Sequence, residues 1–169
     1  MPLKLRRPFP PSGLLHGLPA LAALAVLGAC SSAPPPTPCP TVAIADGAAR
    51  RDVYEPGRAG DLEGRRYGAS LGNIGGNCTS DGTDTVVDFT VDLFVQRGPA
   101  ADAQSIDVPI RVGVIDPNGQ IIERETVTAR VPLQGEGVTI RQPLTQRIPG
   151  VSGETVAGYA VLLGFPVAP

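Results

Sequence analysis

The chain has no tryptophan, and its aromatic residues amount to only 4%. A core without large rings must be assembled from Val, Ile and Leu, and a hydrophobic content of 42% supplies enough of them. From residue 30 onward there is no histidine, lysine or methionine. The commonest general base is therefore missing from that part, and neither a Ser-His-Asp nor a Cys-His arrangement can be built there. Arginine stays protonated and is no substitute. Cysteine occurs three times and never with Cys-x-x-Cys spacing, which argues against a reactive thiol pair. Long helices are disfavoured by 21 glycines and 19 prolines, a composition that suits strands joined by turns. A length of 169 residues fits one domain with accessory segments.

What is present begins with a targeting pattern. Lys4, Arg6 and Arg7 precede an apolar stretch from Leu14 to Val26, interrupted by His16, Gly17 and Pro19. That stretch is too short for a comfortable membrane span, and it ends in small residues, as a cleaved secretory signal does. Leu27-Gly28-Ala29-Cys30 follows. These four residues resemble the lipobox of bacterial lipoproteins. The resemblance implies that residues 1–29 are a signal peptide and that Cys30 becomes the first mature residue, carrying a diacylglycerol on sulfur and usually an acyl group, such as palmitate, on its amine. Two or more chains give stable anchoring where one gives only marginal binding. Ser31, where an Asp would mark inner-membrane retention in enteric bacteria, leads to the expectation of the periplasmic face of the outer membrane.

Residues 31–38, "SSAPPPTP", read as a linker. Proline favours an extended polyproline rod of about 3.1 Å per residue, so the linker spans roughly 25 Å. Removal of residues 1–29 takes away Lys4, Arg6 and Arg7, leaving 11 basic against 16 acidic residues, or 11 − 16 = −5. Such a chain has no global field for nucleic acid or anionic lipid. Five arginines fall within residues 48–66, offset by Asp52, Glu55, Asp61 and Glu63, and this segment reads as a solvated charged loop. With Cys30 lipidated, Cys39 and Cys78 remain. In the oxidising compartment that export implies, an even pair joins. Two thiols without histidine do not complete a zinc shell.

The periodicity is that of strands. Val87, Phe89, Val91, Leu93 and Val95 alternate with Val86, Asp88, Thr90, Asp92 and Phe94 across Thr85–Gln96. Ile106, Val108, Ile110, Val112 and Val114 share one face of the next run. Asp116-Pro117-Asn118-Gly119 is a turn signal, and residues 121–131 return as a hairpin partner in which the shifting pattern suggests a bulge. Val138, Ile140, Leu144 and Ile148 share parity, with Pro143 pointing to an edge strand or a break. Tyr159, Val161, Leu163 and Phe165 share a face in a last strand, and residues 40–45 form a short first one. Residues 46–64 read as a long loop with one helical turn, and "GGNCTSDGTD" as a turn region after weak alternation from Arg66. About seven strands result. The expected fold is all-β: a single antiparallel sandwich over residues 39–169, immunoglobulin-like in appearance, with a small barrel as the alternative.

"CPTVAIA", "PGRAGDLEG", "GNC", "RGPAA", "VIDPNGQII" and "YAVLLGF", in this order, resemble a group of uncharacterised bacterial lipoproteins. These motifs are cysteines, turns and strand ends, and they imply no catalytic residue.

Candidate chemistry is correspondingly thin. Asp88 and Asp92 lie four residues apart on one strand face, roughly 13 Å at strand rise, too far for a glycosidase pair. "GNIGGNC" lacks the Gly-Lys-Ser/Thr of a phosphate loop, and "DGTD" has the wrong spacing for an EF-hand. No catalytic residue, metal ligand set or cofactor site is expected. The expectation is a non-enzymatic, membrane-tethered module that binds an envelope protein partner or supports envelope structure, and no nucleic acid. The alternative is a small ligand or cation held at the sandwich end near Asp81 and Asp84.

Overall fold

A computed structural model describes residues 38–167. The signal segment, Cys30 and residues 31–37 of the linker lie outside the described residues. The strands are β1 (Thr41–Ile44), β2 (Arg50–Tyr54), β3 (Arg65–Asp81), β4 (Asp84–Arg97), β5 (Ser105–Ile115), β6 (Ile121–Pro132), β7 (Gly137–Ile148) and β8 (Ala160–Gly164). Two short 3-10 turns, Leu62–Gly64 and Gly153–Gly158, are the helical elements among the described residues. One sheet has the order β1-β8-β5-β6 and the other β2-β3-β4-β7. All pairings are antiparallel except β1 with β8. The fold is an all-β sandwich.

Its core is the aliphatic one the composition requires. Val91, Leu93 and Val95 of β4 face Val108, Ile110, Val112 and Val114 of β5, joined by Val131, Ile148, Val161 and Leu163, all at 2% exposure or less. Each such side chain contributes about 1.5–3 kcal/mol on burial. The alternation in β4, β5 and β8 is the one their sequences show.

Eight strands form instead of seven. The extra one, β2, lies inside the polar stretch read as loop. It is an edge strand of five residues, antiparallel to β3 from Arg50↔Ser70 to Tyr54↔Arg65, and edge strands carry little apolar signal. The region read as turns after Ile74 is also strand: β3 runs on to Asp81, and the hairpin turns at Gly82-Thr83. Its alternation looked weak because of a bulge. The register shifts between Gly72 and Ile74, with Asn73 at φ 44°, a left-handed value that Asn tolerates. The Asn73 amide also donates to Asp92 Oδ2 at 3.0 Å. One inserted residue moves the inward positions from Tyr67, Ala69 and Leu71 to Ile74, Gly76 and Cys78.

That parity change puts the Cys78 side chain on the core side of its sheet. Cys39, two residues before β1 of the facing sheet, is bonded to it, with Cα atoms 5.7 Å apart. The disulfide thus links the two sheets, a point the sequence left open. In the β5–β6 hairpin a second register shift lies at the tip, where Val114↔Glu123 is followed by Ile115↔Ile121. Asp116 Oδ1 accepts from the amides of Asn118 and Gln120 at 2.9 and 2.8 Å, and Gly119 supplies φ 80°, the Asx-turn chemistry that Asp and Gly provide. Pro143 sits in β7, an edge strand, opposite Thr90, where one missing ladder donor is tolerated.

Candidate functional site

The carboxylates singled out in the sequence are engaged in ion pairs and hydrogen bonds. Asp81 and Asp84 flank the β3–β4 turn, and Arg147 of β7 bridges them: its guanidinium donates to Asp81 Oδ2 at 2.8 Å and to Asp84 Oδ2 at 3.0 Å. The Gly150 amide donates to Asp84 Oδ1 at 2.9 Å. That amide and Arg147 hold the Asp84 carboxyl below the ordinary aspartate range, and the pairing raises the Arg147 pKa. A cation at this end would have to displace an arginine already in place. Asp88 accepts from Thr145 Oγ1 at 2.7 Å, and Asp92 from Arg141 Nε at 3.0 Å. Arg141 and Asn73 lower the Asp92 pKa. Among the described residues, no group of three or more His, Cys, Asp or Glu could hold a metal ion. "GNIGGNC" is strand, its backbone paired with β4 from Gly72↔Asp92 to Cys78↔Val87, so its amides are not arranged as a phosphate cradle.

Edge strands present unpaired N–H and C=O groups that invite another chain. On β6 the inward-parity positions opposite Val114 and Val112 are Glu123 and Glu125, both exposed. A charge at such a position penalises continued sheet pairing. On β7 the edge carries Pro143 and the charged Arg141 and Arg147.

The arginines divide into three groups. Arg58, Arg65, Arg66, Arg141 and Arg147 are ion-paired. Arg51 donates to the Pro166 carbonyl at 3.1 Å, Arg130 to Ser105 Oγ at 3.2 Å, and Arg97 to the carbonyls of Ala101, Ala103 and Leu133, clamping the loops at one end. Among the described residues, Arg50, Arg111 and Arg124 have no side-chain partner. Two of these three line one concavity.

That concavity, of about 180 Å³, lies on the outer face of the β1-β8-β5-β6 sheet. Gly113, Leu162 and Gly164 form its floor, Ile115, Ile121 and Phe165 its apolar walls, and Arg111 and Arg124 its charged rim. The pairings explain the arrangement. Arg124 of β6 lies opposite Gly113, and Arg111 of β5 lies opposite both Thr126 and Gly164. The two arginines are therefore diagonal neighbours, roughly 7–8 Å apart at the backbone. Glycine opposite each arginine leaves a trough where a side chain would stand. Ala48 packs over Gly164 and closes one end. Half of Ile121 remains in water, at 52% exposure. Strand alternation assigns Arg111 and Gly113 to the water face of β5 and the hairpin turn brings β6 with Arg124 alongside, but only the sheet order puts Leu162 of β8 on the other side.

A wider trough of about 680 Å³ runs between β2 and Phe165–Val167, lined by Arg50, Arg51, Asp52, Tyr54 and Glu55. Its charges are mixed and Arg51 is tied to Pro166 across it, so no set of like groups converges there.

No family model matches the chain, and no curated protein matches it either.

Proposed function

We propose that the chain is a lipid-anchored bacterial envelope protein whose β-sandwich is a non-enzymatic interaction module. One observation carries the anchoring: the disulfide consumes Cys39 and Cys78 and leaves Cys30, the cysteine at the lipobox position, as the thiol available for lipid. A disulfide between the sheets also suits an exported, oxidising setting. Cys30 carries the acyl chains, residues 31–38 are the spacer, and residues 39–169 are the module, facing the periplasm from the outer membrane. The non-enzymatic reading is supported by the chemistry of the surface. The sandwich has no histidine or lysine, its cysteines are bonded, and Asp81, Asp84, Asp88 and Asp92 are engaged by Arg147, Thr145 and Arg141.

Metabolic labelling tests the anchor. The wild-type chain is expected to incorporate palmitate, and Cys30→Ser to incorporate none and to remain as the uncleaved precursor. Equal labelling of the two would overturn the assignment. The interaction reading is tested by crosslinking the native protein in cells and identifying what is joined to residues 39–169. A protein partner is expected, and a crosslink pattern confined to lipid would count against it.

A further inference from the structure

The concavity with Arg111 and Arg124 on its rim calls for a large apolar side chain flanked by carboxylates, and the same chain displays one. Leu62 is 68% exposed and stands between Asp61 and Glu63. Its loop is held rigidly. The Glu55 amide donates to the Gly64 carbonyl at 2.9 Å and closes the base. Arg58 bridges Glu55 at 2.9 Å and Asp61 at 2.6 Å, and Asp61 Oδ1 caps the Glu63 amide at 3.0 Å. A leucine presented on a preorganised loop loses little freedom on binding. The loop carries Glu55, Asp61 and Glu63 against Arg58, so its charge is −3 + 1 = −2; Arg111 and Arg124 on the rim amount to +2. The volume also fits, since about 150 Å³ is enough for a benzene-sized guest and the concavity holds about 180 Å³.

We propose that Leu62 of one copy of this chain docks in the Gly113–Leu162 concavity of a second copy, with Glu63 facing Arg124 and Arg111. This deepens the interaction-module reading and rests on it for its setting, a population of copies confined to one membrane. Each copy offers a knob and a socket: a one-way contact adds copies head to tail into open chains or rings, and a reciprocal one, each Leu62 in the other's concavity, closes as a two-fold dimer. One leucine and two or three charges give a weak contact in free solution. Anchoring raises the effective concentration and so favours it.

The test places the photoreactive residue p-benzoylphenylalanine at position 62 of the full chain and irradiates intact envelopes. The expected product is a crosslinked dimer, continued as a ladder of trimers and higher species where contacts run one way, with the crosslink mapping to peptides containing Gly113, Ile121 or Leu162. Arg111→Glu with Arg124→Glu should reduce the product roughly tenfold or more. Glu63→Arg should weaken it alone and restore it in the Arg124→Glu background. Arg111 and Arg124 are exposed, so an unchanged thermal melt of the double variant serves as the folding control. A product indifferent to charge reversal, or crosslinks mapping outside the concavity, would each overturn the proposal. Palmitate labelling of the same samples keeps the two readings apart. A crosslinked product in unlabelled protein leaves this contact standing and removes the anchor; labelled protein without one does the reverse.

Discussion

Breaking the bond between Cys39 and Cys78 should cost the sandwich about 4 kcal/mol. The two residues are 39 positions apart in sequence. Closing a loop of that size in the unfolded chain removes about 2.1 + 1.5R ln 39 cal/mol/K, close to 13 cal/mol/K, or about 4 kcal/mol at 25 °C. The structure adds a reason for the cost to appear in full. The bond joins the segment just before β1 to the end of β3 in the facing sheet, at the margin of the core, and β1 has only four residues of parallel pairing with β8 to hold it otherwise. Urea unfolding followed by circular dichroism measures the effect in the oxidised protein, in Cys39→Ser, in Cys78→Ser and in the double variant, with the remaining thiol of each single variant alkylated. Each single change should lose about 4 kcal/mol. The double change should lose about the same, because once the link is gone the second sulfur has nothing left to constrain. The urea slope should rise in all three, since an uncrosslinked unfolded chain exposes more surface. Losses under about 1 kcal/mol for both single variants, or a double variant costing twice a single, would refute the reasoning.

Leu93→Ala, at a fully buried position, should destabilise by about 2–5 kcal/mol in the same assay. Thr85→Val should cost about 1–3 kcal/mol, because the buried Thr85 hydroxyl donates to the Val151 carbonyl at 2.7 Å and its loss leaves that oxygen unsatisfied. Gly98→Ala should destabilise by more than about 1 kcal/mol, since a methyl group there runs into the Arg65 carbonyl; a stability equal to wild type would show that the β4–β5 loop can shift. Asp84 has a folded pKa below its unfolded one, held there by the Gly150 amide and Arg147. Its stabilising effect is therefore present above the unfolded value near ~3.9 and is lost as pH falls through the lower folded value. The difference in urea midpoint between wild type and Asp84→Asn should be present at pH 6 and shrink below about pH 4, and a difference that stays constant into acid would refute the linkage.

Much of this architecture was legible in the sequence because period-2 alternation is a local property. The runs in β4, β5 and β8 state which side chains face the core, and the Asp116–Gly119 signature states where the chain reverses. The absence of histidine and lysine after residue 29 narrows the available chemistry without any coordinates. What alternation cannot express is a break in its own phase. The single residue Asn73, inserted in β3, flips the pattern, hides half of a 17-residue strand, and brings Cys78 round to the core, where it meets Cys39 on the other sheet. β2 is invisible for a related reason: a short edge strand with one neighbour needs few apolar residues, so "RRDVY" looks like the loop around it. The rim and floor of the outer concavity depend on strand order. Arg111 and Gly113 are marked as water-facing by their own strand, and the hairpin signature puts β6 with Arg124 on one side of them, but that Leu162 of β8 flanks them on the other is decided by long-range packing between residues some fifty positions apart.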